Sequence, residues 1–156
     1  RTLVDLGYLL VVITNQSGIA RGFFDEAAYR RVAARFDHLL EAEGVSLAAT
    51  LHCPHHPEFS GPCDCRKPGL ALYRQAIEQL DLEAGSSHFV GDKLSDVLPA
   101  QAFSGTGWLV RTGHGRASEA AADVPSWVQV VDDLTAVSMR LRREGPPRLD
   151  VVHGAL

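Results

Sequence analysis

The chain has 156 residues, enough for one domain with a substantial buried core. Its 46% hydrophobic and 22% charged residues are ordinary for a globular protein, and a formal net charge of −4 offers no basic surface for nucleic acid or an anionic membrane. The longest apolar run, Tyr8 to Ile13, is far too short to span a bilayer. With no secretory or transit segment visible, a cytoplasmic location is expected, and nothing suggests more than a monomer.

Arg1 to Leu6 reads as the last turns of a helix stopped by Gly7. Tyr8-Leu-Leu-Val-Val-Ile-Thr14 is a continuous apolar, β-branched run, the pattern of a strand buried on both faces of a parallel sheet. A polar, glycine-containing loop follows over Asn15 to Gly22. Asp25 then caps a helix to about Glu43, in which Ala28, Val32, Phe36, Leu39 and Leu40 form the apolar face. A short strand over Ala48 to His52 leads into a loop rich in Cys, His and Pro. A helix from about Leu70 to Leu80, a strand from His88 to Asp92, and a helix through Val97 to about Phe103 come next. Strands over Trp108 to Arg111 and Trp127 to Val131 precede a last helix, capped by Asp132-Asp133 and ending near Arg143. Strands alternating with helices predict an α/β, doubly wound, Rossmann-like parallel sheet over residues 1–145, with 146–156 as a frayed C-terminal tail. In such folds ligands bind at the carboxyl ends of the strands.

All three cysteines fall between residues 53 and 65, an odd number in one loop rather than a disulfide framework. Cys53-Pro-His55-His56-Pro and Cys63-Asp-Cys65 supply three thiols and an imidazole, the donor set of a closed tetrahedral zinc site. A filled four-ligand site leaves no open position, so the metal's role is structural. His55 pairs with Cys53 as Cys63 pairs with Cys65, which favours it over His56. Incidental free cysteines, or a strained Cys63–Cys65 disulfide, are the competing explanations.

Three strand ends carry the remaining chemistry. Thr14-Asn15-Gln16-Ser17-Gly18 offers a hydroxyl and successive loop N–H groups, an anion-binding nest or simply a turn. Arg66-Lys67 offers a planar fork and a point charge for phosphate, or two solvated cations. In Gly91-Asp92-Lys93-Leu-Ser95-Asp96, Asp92 suits a hard cation such as Mg²⁺, Lys93 could neutralise phosphate, and Asp96 could orient Lys93 or metal waters. Asp92 or Ser95 could equally be a helix N-cap.

Hydroxyl, lysine and Gly-Asp-x-x-x-Asp, in that order at strand ends, resemble motifs two to four of the haloacid-dehalogenase (HAD) superfamily. Thr-Asn-Gln-Ser-Gly-Ile-Ala-Arg-Gly, Cys-Pro-His-His-Pro, Cys-Asp-Cys-Arg-Lys-Pro, Val-Gly-Asp-Lys and Leu-Val-Arg-Thr-Gly resemble, more narrowly, its zinc-loop heptose-bisphosphate phosphatases, from Leu6 to about Leu134. That resemblance implies removal of the C7 phosphate of a sugar bisphosphate through an aspartyl-phosphate, with Mg²⁺ and structural Zn²⁺ as cofactors. It gives Thr14, Lys67 and Asp92 catalytic roles, Asp92 as the Mg²⁺ ligand. Thr14, Asn15, Gln16, Ser17, Arg66, Lys67 and Lys93 fall to substrate, and Cys53, His55, Cys63 and Cys65 to zinc. The related histidinol-phosphate phosphatases and a zinc-stabilised pseudo-phosphatase are the alternatives.

The family's first motif, an apolar strand followed by Asp-x-Asp-Gly-Thr, lies a few dozen residues before the position of Arg1, and no Asp-x-Asp occurs in this chain. Its strand lies between those ending at Thr14 and Asp92. The expectation is therefore of a fragment of a longer product, with two open inner strand edges, inactive and poorly stable alone.

Overall fold

The structure is a computed structural model that describes residues 1–121 and 123–145; the expected tail, 146–156, lies outside them. Among the described residues, five parallel strands form two sheets. β1 (Val11–Asn15) pairs with β2 (Ala49–Cys53), Val11 opposite Ala49 and Asn15 opposite Cys53. β3 (His88–Gly91), β4 (Thr106–Val110) and β5 (Gln129–Val131) form the second sheet, with β4 central. No ladder hydrogen bond joins β1 to β3 among the described residues. Ile13 of β1 and Phe89 of β3 nevertheless pack on the same buried cluster around Tyr73 and Ala100, so the two sheets lie side by side across an open seam. The open edges expected from the superfamily arrangement are thus present.

β1 is shorter than its apolar run, beginning at Val11, and its five residues are only half buried. With one edge unpaired, the segment lacks the enclosure that a continuous apolar run ordinarily signals, and Leu9 is left exposed. β4 does have that enclosure: Trp108 and Leu109 are almost fully buried. Trp108, Val110 and Val131 pack with Val137 and Leu141 of the last helix, α8 (Leu134–Glu144). The short first helix, α1 (Thr2–Asp5), adds Leu3 to this cluster, as does Leu6 beyond it, and Gly7 turns the chain at a left-handed φ of +88°.

α2 (Glu26–Ala42) begins as the sequence indicates, the Asp25 carboxylate accepting the Ala28 N–H at 2.6 Å. Its expected core face is not the buried one. Tyr29 is buried against His52 of β2, ring centroids 4.1 Å apart, whereas Val32, Phe36 and Leu39 are 69%, 44% and 49% exposed. The helix rests on β2 through a neighbouring stripe, and no described residue covers the apolar one.

α3 (Pro57–Ser60) lies inside the Cys/His loop, and α4 (Ala71–Leu80) buries Leu72, Tyr73 and Ala76. The helix expected through Val97 is two short ones, α5 (Leu94–Val97) and α6 (Pro99–Ala102), with Pro99 opening the second, where its missing N–H costs nothing. α7 (Gly115–Ala121), unanticipated from the sequence, follows β4.

Candidate active site and metal centre

Cys53 ends β2 fully buried, and the loop beyond it folds back through α3 to return Cys63 and Cys65. The donor atoms of Cys53, His55, Cys63 and Cys65 all lie within 4.8 Å of one another. The sulfurs of Cys53 and Cys63 are 3.7 Å apart, those of Cys63 and Cys65 3.4 Å, and His55 Nδ1 is 3.8 Å from Cys53 Sγ. A tetrahedral zinc with metal–sulfur bonds of about 2.3 Å has edges of roughly 3.8 Å; Cys65 Sγ, 3.1 Å from both Cys53 Sγ and His55 Nδ1, has to move outward by less than about 1 Å for the four donors to hold the ion. His55 faces the three sulfurs. His56 turns away, its Nδ1 accepting the Glu58 N–H at the start of α3.

Without a cation the three thiols share little charge. Burial pushes Cys53 up, and Cys65 goes up to about 12 through burial and hydrogen bonds to Cys53 and Cys63. Burial also opposes ionisation of Cys63, but hydrogen bonds from Cys65 and the Arg66 backbone outweigh it and bring the thiol down to about 7. A bound metal draws all three to thiolate, which is why such loops depend on the ion for their fold.

The carboxyl ends of β1 and β3 face the seam, and Lys67 bridges it. Its ammonium donates to the Ile13 carbonyl at 2.6 Å and pairs with Asp96 Oδ1 at 2.8 Å, with both side chains 13% exposed. Asn15 grips the same residue's backbone twice: Oδ1 accepts Lys67 N–H at 3.0 Å and Nδ2 donates to Lys67 C=O at 3.3 Å. Asn15 therefore positions Lys67, a role its place in the loop did not reveal. Asp96 pairs with the Lys67 ammonium rather than that of Lys93, from which it takes only the backbone N–H at 3.1 Å. Gly91 permits this packing, since a Cβ there would lie 2.3 Å from Asp96 Cβ. Thr14 Oγ1 accepts from Gln16 Nε2 at 2.9 Å, and the Gln16 N–H donates to Cys53 C=O at 2.7 Å. Strand end and metal loop are thereby joined. Ser17 is half buried in the same loop, and Lys93 is exposed at the start of α5.

Asp92 follows β3. Its Oδ2 accepts the His114 N–H at 2.8 Å, and its carbonyl accepts Ser118 Oγ at 2.8 Å from α7. One hard carboxylate at a strand end, already oriented by an N–H, fits a Mg²⁺ that takes its other ligands from water and phosphate. Arg66 reaches back to the His55 carbonyl, Nη1 to O 3.4 Å. Thr14 and Asp92 thus stand at the ends of β1 and β3, whereas Arg66 and Lys67, expected at a strand end, lie in the loop between the zinc ligands and α4, from which the Lys67 side chain reaches the seam.

A lysine braced by an acid, a hydroxyl and a carboxylate thus border one seam of a parallel α/β fold, and a HAD-hydrolase-like family profile matches residues 64–137. Narrower likenesses cover more of the chain. It is 45% identical over 125 residues to the D-glycero-beta-D-manno-heptose-1,7-bisphosphate 7-phosphatase of Haemophilus ducreyi, covering 76% of this chain and 69% of that protein. With the enzyme of the same name from Escherichia coli O6:H1 it shares 41% identity over 153 residues, 94% of this chain and 79% of the relative. The crystal structure of D,D-heptose 1,7-bisphosphate phosphatase from B. bronchiseptica, complexed with magnesium and phosphate, superposes with a TM-score of 0.82 at 36% identity. That superposition covers 92% of this chain and 79% of the other. The chain belongs to the D-glycero-beta-D-manno-heptose-1,7-bisphosphate 7-phosphatase family.

Proposed function

We propose that this chain carries the phosphate-binding half of an enzyme that removes the C7 phosphate of D-glycero-D-manno-heptose 1,7-bisphosphate. The observation that carries the reading is the Lys67 ammonium, fixed at the seam by Ile13, Asp96 and the double grip of Asn15. A transferring phosphoryl group spreads negative charge over its equatorial oxygens, and a pre-positioned cation stabilises it without reorganisation. Lys67 supplies that charge, Thr14 donates its hydroxyl to a phosphoryl oxygen, and the loop over Asn15, Gln16 and Ser17 lines the sugar. Arg66 and Lys93 contact the substrate's outer anionic groups. Asp92 holds Mg²⁺, which when bound neutralises phosphoryl charge. Cys53, His55, Cys63 and Cys65 hold a structural Zn²⁺ that fixes the direction of Arg66 and Lys67. The aspartyl-phosphate route needs an attacking carboxylate and an acid two residues on; no Asp-x-Asp occurs among the 156 residues, so neither group is one of them.

Phosphate release by the protein expressed from its complete reading frame, with the heptose bisphosphate and with histidinol phosphate as substrates, tests this. Turnover should favour the heptose bisphosphate, and Lys67→Met should lower it about 10²–10³-fold. Equal or faster turnover of histidinol phosphate would overturn the substrate assignment. Phosphate binding without turnover of either compound would identify a pseudo-phosphatase.

A further inference from the structure

Asp92 is grasped by a stretch of chain to which the reading above gives no role. Beyond β4 the backbone crosses the end of β3. Gly113, at a left-handed φ of +57°, passes so close that a Cβ there would lie 2.3 Å from Asp92 Oδ2. The next N–H, that of His114, donates to the same oxygen at 2.8 Å. Four residues on, in α7, the Ser118 hydroxyl donates to the Asp92 carbonyl at 2.8 Å. One segment thus holds Asp92 by side chain and backbone together. Among the described residues Asp92 Oδ1 accepts no hydrogen bond.

An ion pair holds the segment in turn. Arg111, just past β4, directs two donors of its guanidinium to Glu119, the neighbour of Ser118: Nε to Oε2 at 2.8 Å and Nη2 to Oε1 at 2.9 Å. Its Nη1 reaches Asp132 Oδ1, just past β5, at 2.9 Å. A bidentate fork fixes angle as well as distance, so the arginine that places Glu119 also places the Ser118 hydroxyl. Arg111 and Glu119 are 32% and 35% exposed, and a pair so open to water adds little to stability. Its effect belongs in geometry, at the residue α7 touches.

We propose that Ser118, set in place by the Arg111–Glu119 fork, is a positioning residue for the metal carboxylate. Together with the His114 N–H it commits Asp92 Oδ2 to the protein and leaves Oδ1 for the divalent cation. The proposal rests on the metal role assigned to Asp92 above and adds what fixes that ligand. Outer partners that orient a metal ligand are worth about 10–100-fold in metal affinity.

Titration with Mn²⁺ of the zinc-loaded protein expressed from its complete reading frame, followed by the paramagnetic resonance of the free ion, tests it, since Mn²⁺ suits the same oxygen donors as Mg²⁺. Ser118→Ala and Glu119→Ala should each raise the dissociation constant about tenfold, and Ser118→Thr, which keeps the hydroxyl, should restore most of the affinity. The Mg²⁺ concentration that half-activates phosphate release should rise in step, with turnover recovering as Mg²⁺ is raised to saturation. Val137→Ala, a truncation in the core beneath α8, should lower the melting temperature and leave the Mn²⁺ constant unmoved. Wild-type Mn²⁺ affinity in Ser118→Ala, an equal loss in Val137→Ala, or a Ser118→Thr variant as weak as Ser118→Ala overturns the positioning role. Should Ser118→Ala fail to fold, Glu119→Ala decides by the same comparison with Val137→Ala. Asp92→Asn separates the two levels: if it binds Mn²⁺ as the wild type does, Asp92 is not the ligand and the functional reading beneath the proposal falls instead.

Discussion

Removing the metal from the Cys53–Cys65 loop should destabilise the protein by an amount that follows from its geometry. The four donors converge within 4.8 Å, in a loop that has prolines and one short helix but little core of its own. Free zinc at about 100 times its dissociation constant contributes about 2.7 kcal/mol by linkage. In a chain of 156 residues each kcal/mol moves the melting temperature by about 2–4 °C, so excess chelator should lower it by about 5–11 °C. Cys63→Ser removes one ligand of four; an even share of the roughly 10–16 kcal/mol of a structural zinc site is about 3–4 kcal/mol, or 10²–10³-fold in affinity. Scanning calorimetry with and without chelator, and competition against a chromophoric chelator, measure the two quantities. The damage should spread, because Cys53 pairs with Asn15 across the sheet and Asn15 holds Lys67. If the chelated and zinc-loaded proteins melt together, or Cys63→Ser binds zinc as tightly as the wild type, the loop does not depend on the metal and the reasoning fails.

Asn15→Leu removes both hydrogen bonds to the Lys67 backbone and should cost about 1–3 kcal/mol in urea unfolding while weakening inorganic phosphate binding; wild-type stability would contradict the grip described here. Gly91→Ala puts a Cβ 2.3 Å from that of Asp96 and should destabilise by about 1–3 kcal/mol, read in the same assay; a neutral result would mean that the Asp96 turn yields freely. Burial holds the His88 imidazole below its usual pKa, with Glu144 acting the other way, and its Nδ1 accepts the Trp108 indole N–H at 3.1 Å. The unfolded chain therefore takes up the proton first, so this contribution is complete above the unfolded value of about 6.5 and is lost progressively as pH falls from there through the lower folded-state pKa. Urea midpoints at pH 7.5 and 5.5 should show the decline, and His88→Gln should reduce it; an unchanged slope in that variant would assign the effect elsewhere.

The parts of this protein that read clearly from its sequence are those in which one residue type has one use. Three cysteines and a histidine in a proline-rich loop allow few arrangements, and His55 meets the sulfurs as its spacing suggested. Asp25 and Asp133 cap their helices with the carboxylate-to-N–H bonds expected of them. Less was legible where meaning depends on a partner elsewhere in the chain. Nothing local to Asn15 says that its amide turns to the backbone of Lys67, or that Asp96 reaches Lys67 rather than Lys93. The stripe of Val32, Phe36 and Leu39 misled for a related reason, since helical period identifies an apolar face but not whether another element covers it. α7 lacked signal because Gly115, at its start, is a poor helix former that is needed there: any Cβ would strike the Val110 carbonyl.

Lys67 holds more than a charge in place. Of its two ammonium contacts, one is to a backbone carbonyl of β1 and the other to a carboxylate at the start of α5, next to β3, so a single side chain laces the two half-sheets together where the ladder is interrupted. These two contacts use two of the ammonium's three N–H groups, so the third is left for an anion at the seam while both laces stay closed. Replacing Lys67 would therefore cut a tie between the half-sheets as well as remove a charge.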